Sequence, residues 1–182
     1  MSFRNRIRGL AADTQREVVN LFNSWQRGDL SEAQFVAAVA TVVARANGRG
    51  VRLADRSAAL QMARQLRREV DPVAEPVPDD RPKLREAVTT LLAERPEIAT
   101  TSALLAASQR DRLARLARSE PLRNAQRRFQ KNLEAQQMGW TRAIGPDACP
   151  LCRKWDDGQV RPASVPMPHH TGCSCTQVPT PM

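Results

Sequence analysis

Cys149-Pro-Leu-Cys152 and His170-Thr-Gly-Cys173-Ser-Cys175 decide how this chain reads. All four cysteines and both histidines of its 182 residues lie between Cys149 and Cys175. A CxxC turn lets two thiolates reach one ion, and an HxxCxC segment offers three more donors. Soft sulfur and nitrogen ligands at such spacings point to one tetrahedral Zn²⁺ site. The alternative is a pair of disulfides; the spacing, the histidine and a reducing compartment argue for metal. The candidate ligands are Cys149, Cys152, His170, Cys173 and Cys175. Cys175 is the preferred fourth ligand, because the CxC pair must turn to bring both sulfurs inward. His169 is expected on the surface, since His170 stands better placed three residues before Cys173.

Upstream of this cluster the chain reads as helices. Phe3, Ile7, Leu10, Thr14, Val18, Phe22 and Trp25 recur at three- and four-residue steps, as one buried helical stripe would. Gly28 is expected to end it. Ser31 with Gln34 forms a capping-box pattern that opens a second helix, with Phe35, Val39, Val42, Val43 and Ala46 inward. Gly48 and Gly50 are expected to stop that helix, and Val51 to Val70 to form a weaker third. Residues 71–82 hold four prolines and four acids and read as an extended linker. A fourth helix carries Leu84, Val88, Leu91 and Leu92 and ends near Pro96. A fifth spans Thr100 to Glu120, with Leu104, Leu105, Leu113 and Leu116 inward. Pro121 is expected in the first turn of a sixth, with Leu122, Ala125, Phe129 and Leu133 as its stripe. The segment 139–145 breaks the helical period and reads as one strand of a small hairpin carrying the CxxC turn. Val160 and Val165 are expected in strands returning toward the second half-site.

The organisation expected is therefore a helical region 1–70, a Pro-rich acidic linker 71–82, a helical region 83–138 and a zinc-binding module 139–182. The fold class is mainly α with a small, loop-rich β module at the C-terminus. That module has little apolar area of its own, so the metal is expected to serve as its core.

The formal net charge is +9, which suits an anionic partner. Nearly all of it is arginine, with lysine only at Lys83, Lys131 and Lys154, a bias in keeping with a GC-rich coding sequence. The basic run Arg110, Arg112, Arg115, Arg118, Arg123, Arg127, Arg128 and Lys131 has two readings. One is a DNA-facing surface that neutralises phosphates; the other is the solvated face of amphipathic helices. Aromatic interleaving is sparse, so base stacking is not indicated. No apolar run is long enough to span a membrane, and the N-terminus does not read as a secretory signal.

Catalysis finds little support. There is no Gly-rich phosphate loop, no Ser/His/Asp set with suggestive spacing, and no βαβ context for a redox CxxC. A catalytic zinc keeps an open position, whereas five candidate donors favour a closed structural site.

Gly139-Trp-Thr-Arg142, Asp147-Ala-Cys-Pro-Leu-Cys152, Trp155, His170-Thr-Gly-Cys-Ser-Cys175 and Pro179 together resemble the C-terminal signature of MuF-like minor head proteins of tailed bacteriophages, especially those of actinobacteria. The resemblance covers residues 100–179. It implies a minor capsid protein present in few copies, located in the virion and in the host cytoplasm during assembly. The expected partners are the portal or major capsid protein and packaged double-stranded DNA, with a role in packaging or ejection. Thr171 stands where proline often follows the histidine, and the resemblance does not extend to the protease or toxin segment fused to some relatives, so a structural role is the expectation. The competing class is a zinc-knuckle nucleic-acid-binding regulator.

Overall fold

The computed structural model describes residues 2–73, 75–94, 102–146 and 148–182. It is mainly helical, with a small three-stranded antiparallel sheet at the C-terminus. The helices are α1 (Phe3–Gln26), α2 (Glu32–Leu66), α3 (Arg81–Ala93) and α4 (Ser102–Ala135). They are followed by β1 (Gly139–Ala143), the short α5 (Pro150–Lys154), β2 (Arg161–Pro162) and β3 (Thr176–Thr180). Sheet order is β2-β1-β3, with Trp140 opposite Arg161 on one side and Pro179 on the other. The expected ends near Pro96 and Thr100 lie outside the described residues. No helix among the described residues is long and apolar enough to cross a membrane.

Local signals explain the helix starts. The Ser2 hydroxyl accepts from the Asn5 amide at 3.3 Å, capping α1. Ser31 and Gln34 form the reciprocal box, with Ser31 N donating to Gln34 Oε1 at 2.9 Å and Gln34 N to Ser31 Oγ at 3.3 Å. Past the end of α1, Gly28 takes φ +83°, as a left-handed terminating residue does.

Two expected breaks are not breaks. Gly48 and Gly50 sit inside α2 and are buried, so the second and third expected helices are one. Glycine within a helix costs about 1 kcal/mol, but here it permits contact that a side chain would block. A Cβ at Gly50 would stand 3.0 Å from the Pro121 carbonyl oxygen, 3.3 Å from Ile7 Cδ1 and 3.5 Å from Ala125 Cβ. Pro121, in turn, lies inside α4 rather than opening a new helix. It withholds one helical N–H. The helix continues because Leu113 and Ala117 before it and Leu122, Phe129 and Leu133 after it are all buried. Of the leucines expected inward on this helix, Leu113 is fully buried and Leu116 packs at the core edge, but Leu104 is 50 % exposed.

Two apolar clusters result. One joins Val18, Phe22, Phe35, Val39, Val43, Leu84, Val88 and Leu113, with the Trp25 and Phe35 rings stacked at 5.0 Å. The other joins Phe3, Ile7, Met62, Leu122, Phe129 and Leu133 to Met138, Trp140, Ala163 and Met167. The C-terminal sheet is therefore built onto the helical core. Trp140 is 1 % exposed, and its indole N–H donates to Val165 O at 2.9 Å. Val160 and Val165, expected in strands, lie outside them and are exposed. The unexpected strand is β3, where Pro179 is tolerated at the edge of the sheet.

Among its described residues before Arg81 the acidic segment has no regular structure, but it is tied down as a strap. Val73 N donates to Asn132 Oδ1 at 2.9 Å, and Arg128 donates to the carbonyls of Val73 and Glu75. Arg128 also pairs with Asp55 at 2.7 Å and Glu75 at 3.2 Å, and Asn132 donates to Asp55 at 2.9 Å. At 7 % exposure Arg128 is a core ion, which removes it from the expected DNA-facing set.

Two pairs of substitutions check this architecture by denaturant unfolding. Gly50→Val should destabilise by about 1–3 kcal/mol through overpacking. Gly48→Ala, whose nearest neighbours would lie at 3.5 Å or beyond, should be neutral or stabilising by up to about 1 kcal/mol. Arg128→Ala should cost on the order of 3 kcal/mol by stranding Asp55, whereas Arg127→Ala, exposed on the same helix, should stay within about 0.5 kcal/mol.

Candidate metal centre

Three pieces of chain bring the donors together. The first is the turn into α5. Cys149 caps that helix in extended backbone, Pro150 supplies the first helical φ, and Cys152 follows one turn later. The Cys152 amide donates to Cys149 Sγ at 3.4 Å, so both sulfurs face the same side. The second piece is the turn His170-Thr-Gly-Cys173, closed by Cys173 N donating to His170 O at 3.0 Å. Gly172 takes φ +74° there, a value that favours glycine at the third position of such a turn. The third is α4, where Gln126 Nε2 donates to the carbonyls of Cys173 (3.3 Å) and Cys175 (2.9 Å) and pins the CxC segment.

The donor atoms form two triads that share Cys152: Cys149, Cys152 and His170, and Cys152, Cys173 and Cys175. Within each triad they lie within 4.8 Å of one another, and either group could hold a metal ion. His170 Nε2 is 3.1 Å from both Cys149 Sγ and Cys152 Sγ, and Cys152 Sγ is 3.5 Å from Cys173 Sγ. With Zn–S bonds near 2.3 Å, the edge of a tetrahedron is about 3.7 Å, so these separations fit one ion with small adjustment. The histidine is oriented for the task. Its Nδ1 is 3.1 Å from Thr171 O, which makes Nδ1 the N–H donor and leaves the Nε2 lone pair facing the sulfurs.

All four cysteines are free thiols, and their proton affinities are pulled apart. Cys173 is drawn down to about 5, first by the hydrogen bond it receives from Cys175. That bond, followed by burial, pushes Cys175 well above the usual thiol range. Burial pushes Cys152 up to about 11, and the Cys152 amide draws Cys149 down. A bound cation would hold its cysteine ligands as thiolates, so metal uptake has to displace protons.

Every expected ligand is in the cluster. His169 is exposed, with Nδ1 3.3 Å from Met167 O, as expected for the histidine outside it. Asp147 lies outside the described residues. The supporting residues were not legible as such. Gln126 reaches the site from 47 residues upstream with no local motif. Arg142 donates to Pro168 O just before the histidines and lies 5.3 Å from the centre of the Trp155 ring, which sits 6.4 Å from the His170 ring. A separate small cluster of Ile144, Ala148 and the cysteines surrounds the donors, so only this loop region, and not the sheet, lacks the helical core.

The basic run on α4 does not form one free face. Arg112 pairs with Glu94, Arg123 with Glu120 at 3.2 Å, and Lys131 with Glu75 at 2.6 Å. Arg118 passes beside Gly172. Arg110, Arg115 and Arg127 are exposed. No protein-family model matches the chain, and no curated protein or solved structure matches it.

Cys152 belongs to both triads, so Cys152→Ser should abolish metal binding by elemental analysis. In limited proteolysis the variant should be cut between Ile144 and Cys175, while far-UV circular dichroism keeps its helical signal.

Proposed function

We propose that the chain is a structural minor head protein of a tailed phage, docked at the portal or inner capsid wall, with its C-terminal loops closed around one Zn²⁺. Cys149, Cys152, His170 and Cys173 are its ligands. Cys173 is preferred to Cys175 because its sulfur lies 3.5 Å from Cys152 Sγ and the turn from His170 to Cys173 is closed by a backbone hydrogen bond. Cys175 then supports the site by donating its S–H to Cys173. Four protein ligands leave no open position, so the ion is structural and the chain is not an enzyme.

The observation that supports this reading is that the described signature residues belong to one C-terminal module of sheet and Cys/His cluster. Trp140 anchors β1 in the core and faces Pro179 across the sheet. Arg142 links Trp155 to the loop before His170. Gly139 leaves room for Val160 and the Arg161 carbonyl, which a Cβ would meet at 2.9 and 3.0 Å. Residues scattered over the motif thus act as parts of a single scaffold. Contact with packaged DNA, in this reading, is electrostatic and independent of sequence.

The purified chain should carry one zinc. Cys173→Ser should lose it, and Cys175→Ser should keep it with affinity about 10–100-fold weaker, the usual effect of a supporting residue. Mass spectrometry of purified procapsids and mature particles should find the chain in both. Its absence from both overturns the head-protein reading, and a tight sequence-specific DNA complex that survives high salt replaces it with the regulator.

A further inference from the structure

Because α2 is continuous, it is surrounded by α1, α3, α4 and β3 over most of its length. What remains exposed is a narrow line. Between Arg45 and Arg64 the exposed positions are Arg45, Arg49, Arg52, Arg56, Leu60 and Arg64. Steps of three and four residues keep them on one side of the helix. At 1.5 Å per residue the five guanidiniums are strung over about 28 Å.

This line carries no acid. The acid within the stretch, Asp55, is turned to Arg128 and Asn132. Arg45 pairs with Glu17 at 2.7 Å, both half exposed. Arg49, Arg52, Arg56 and Arg64 have no carboxylate partner among the described residues. Arg49, Arg52 and Arg56 border a shallow groove of about 220 Å³ whose fourth lining residue is Leu53. Like charges three and four residues apart repel one another. No described acid relieves that repulsion at these three positions, and a polyanion would.

We propose that this arginine ladder is a binding face for the phosphate backbone of duplex DNA. Duplex DNA presents one charge per about 1.7 Å along its axis, so a straight cationic line can meet several phosphates at once. Guanidinium forks suit phosphate oxygens in particular. The absence of any aromatic side chain on the line removes base stacking. A membrane surface is disfavoured because the rest of α2 is packed against the protein, leaving Leu60 as the one exposed apolar side chain on the line, with Leu53 half-buried beside it. The α4 run is the weaker candidate, because half of its cations are held by acids or buried. The ladder shares with the head-protein reading only the presence of DNA. Its failure in a purified binding assay would leave that reading to the particle experiment.

The test is fluorescence anisotropy with the full chain and a mixed-sequence duplex of about 30 base pairs across a salt series, where log K should fall by about 0.9 per phosphate neutralised for each unit of log salt. The triple variant Arg49→Ala, Arg52→Ala, Arg56→Ala should lower that slope by about 3 and weaken low-salt binding by ~10-fold or more. Arg49→Lys, Arg52→Lys, Arg56→Lys should keep most of the slope, because phosphate contact needs the charge. Arg110→Ala, Arg115→Ala, Arg127→Ala should change it by less than half as much. The proposal is overturned if the α2 alanine triple keeps the wild-type slope, if the α4 triple takes the larger loss, or if the lysine triple falls as far as the alanine triple. It is also overturned, in favour of a lipid surface, if phosphatidylserine vesicles bind more tightly than the duplex and only vesicle binding is lost in the alanine triple.

Discussion

The close approach of α2 to α4 at Gly50 and Pro121 is the constraint on which the remaining structure depends. A Cβ 3.0 Å from the Pro121 carbonyl would oblige the two helices to give by a few tenths of an ångström. Their contact lets α4 cross from one apolar cluster to the other without a break, and it sets Leu122, Phe129 and Leu133 against α1 and α2. The same half of α4 then presents Gln126 to the CxC segment and Arg128 to the acidic strap. A glycine that weakens one helix locally thus permits the packing that holds two long helices, a strap and a sheet together.

The metal cluster follows from this frame. β1 rests on the helical core through Trp140, and β3 pairs with it along its length. The loops between these strands carry the donors. Their own apolar support is limited to Ile144, Ala148 and the thiols themselves, too little to order a segment against its conformational entropy. A cation held by Cys152 and its neighbours would tie the α5 turn to the CxC segment and supply the difference. The module is thus divided: the sheet leans on the helices, and the loops carry a Cys/His cluster that could hold a metal ion.

The charges divide along the same lines. Arg128 is buried among Asp55, Glu75 and two backbone carbonyls, where its removal would strand partners inside the protein. Along α2, Arg49, Arg52, Arg56 and Arg64 face outward with no carboxylate partner among the described residues, and Arg45 pairs with Glu17. A net charge of +9 is therefore not spread evenly: part is consumed in internal pairs, and part is concentrated on one helix edge.

The sequence by itself determined the candidate metal donors, the helical class and several element ends. Those features are local. A CxxC turn, a capping box, a helical stripe or a glycine at positive φ is specified within a few residues, so Cys149, Cys152, His170, Ser31 and Gly28 announce themselves. Only the tertiary structure decided that Gly48, Gly50 and Pro121 lie within helices. Each is a helix breaker by intrinsic preference, and each is overridden by burial on both sides, which no window of sequence contains. The same holds for the arginines. Arg128 and Arg127 are neighbours of one residue type, yet one is a core ion and the other meets solvent, because helix rotation and the position of Asp55, 73 residues away, separate them. Gln126 became part of the metal centre, and the arginines of α2 fell into a single line, for that same reason: long-range packing selects which face of a helix each residue occupies.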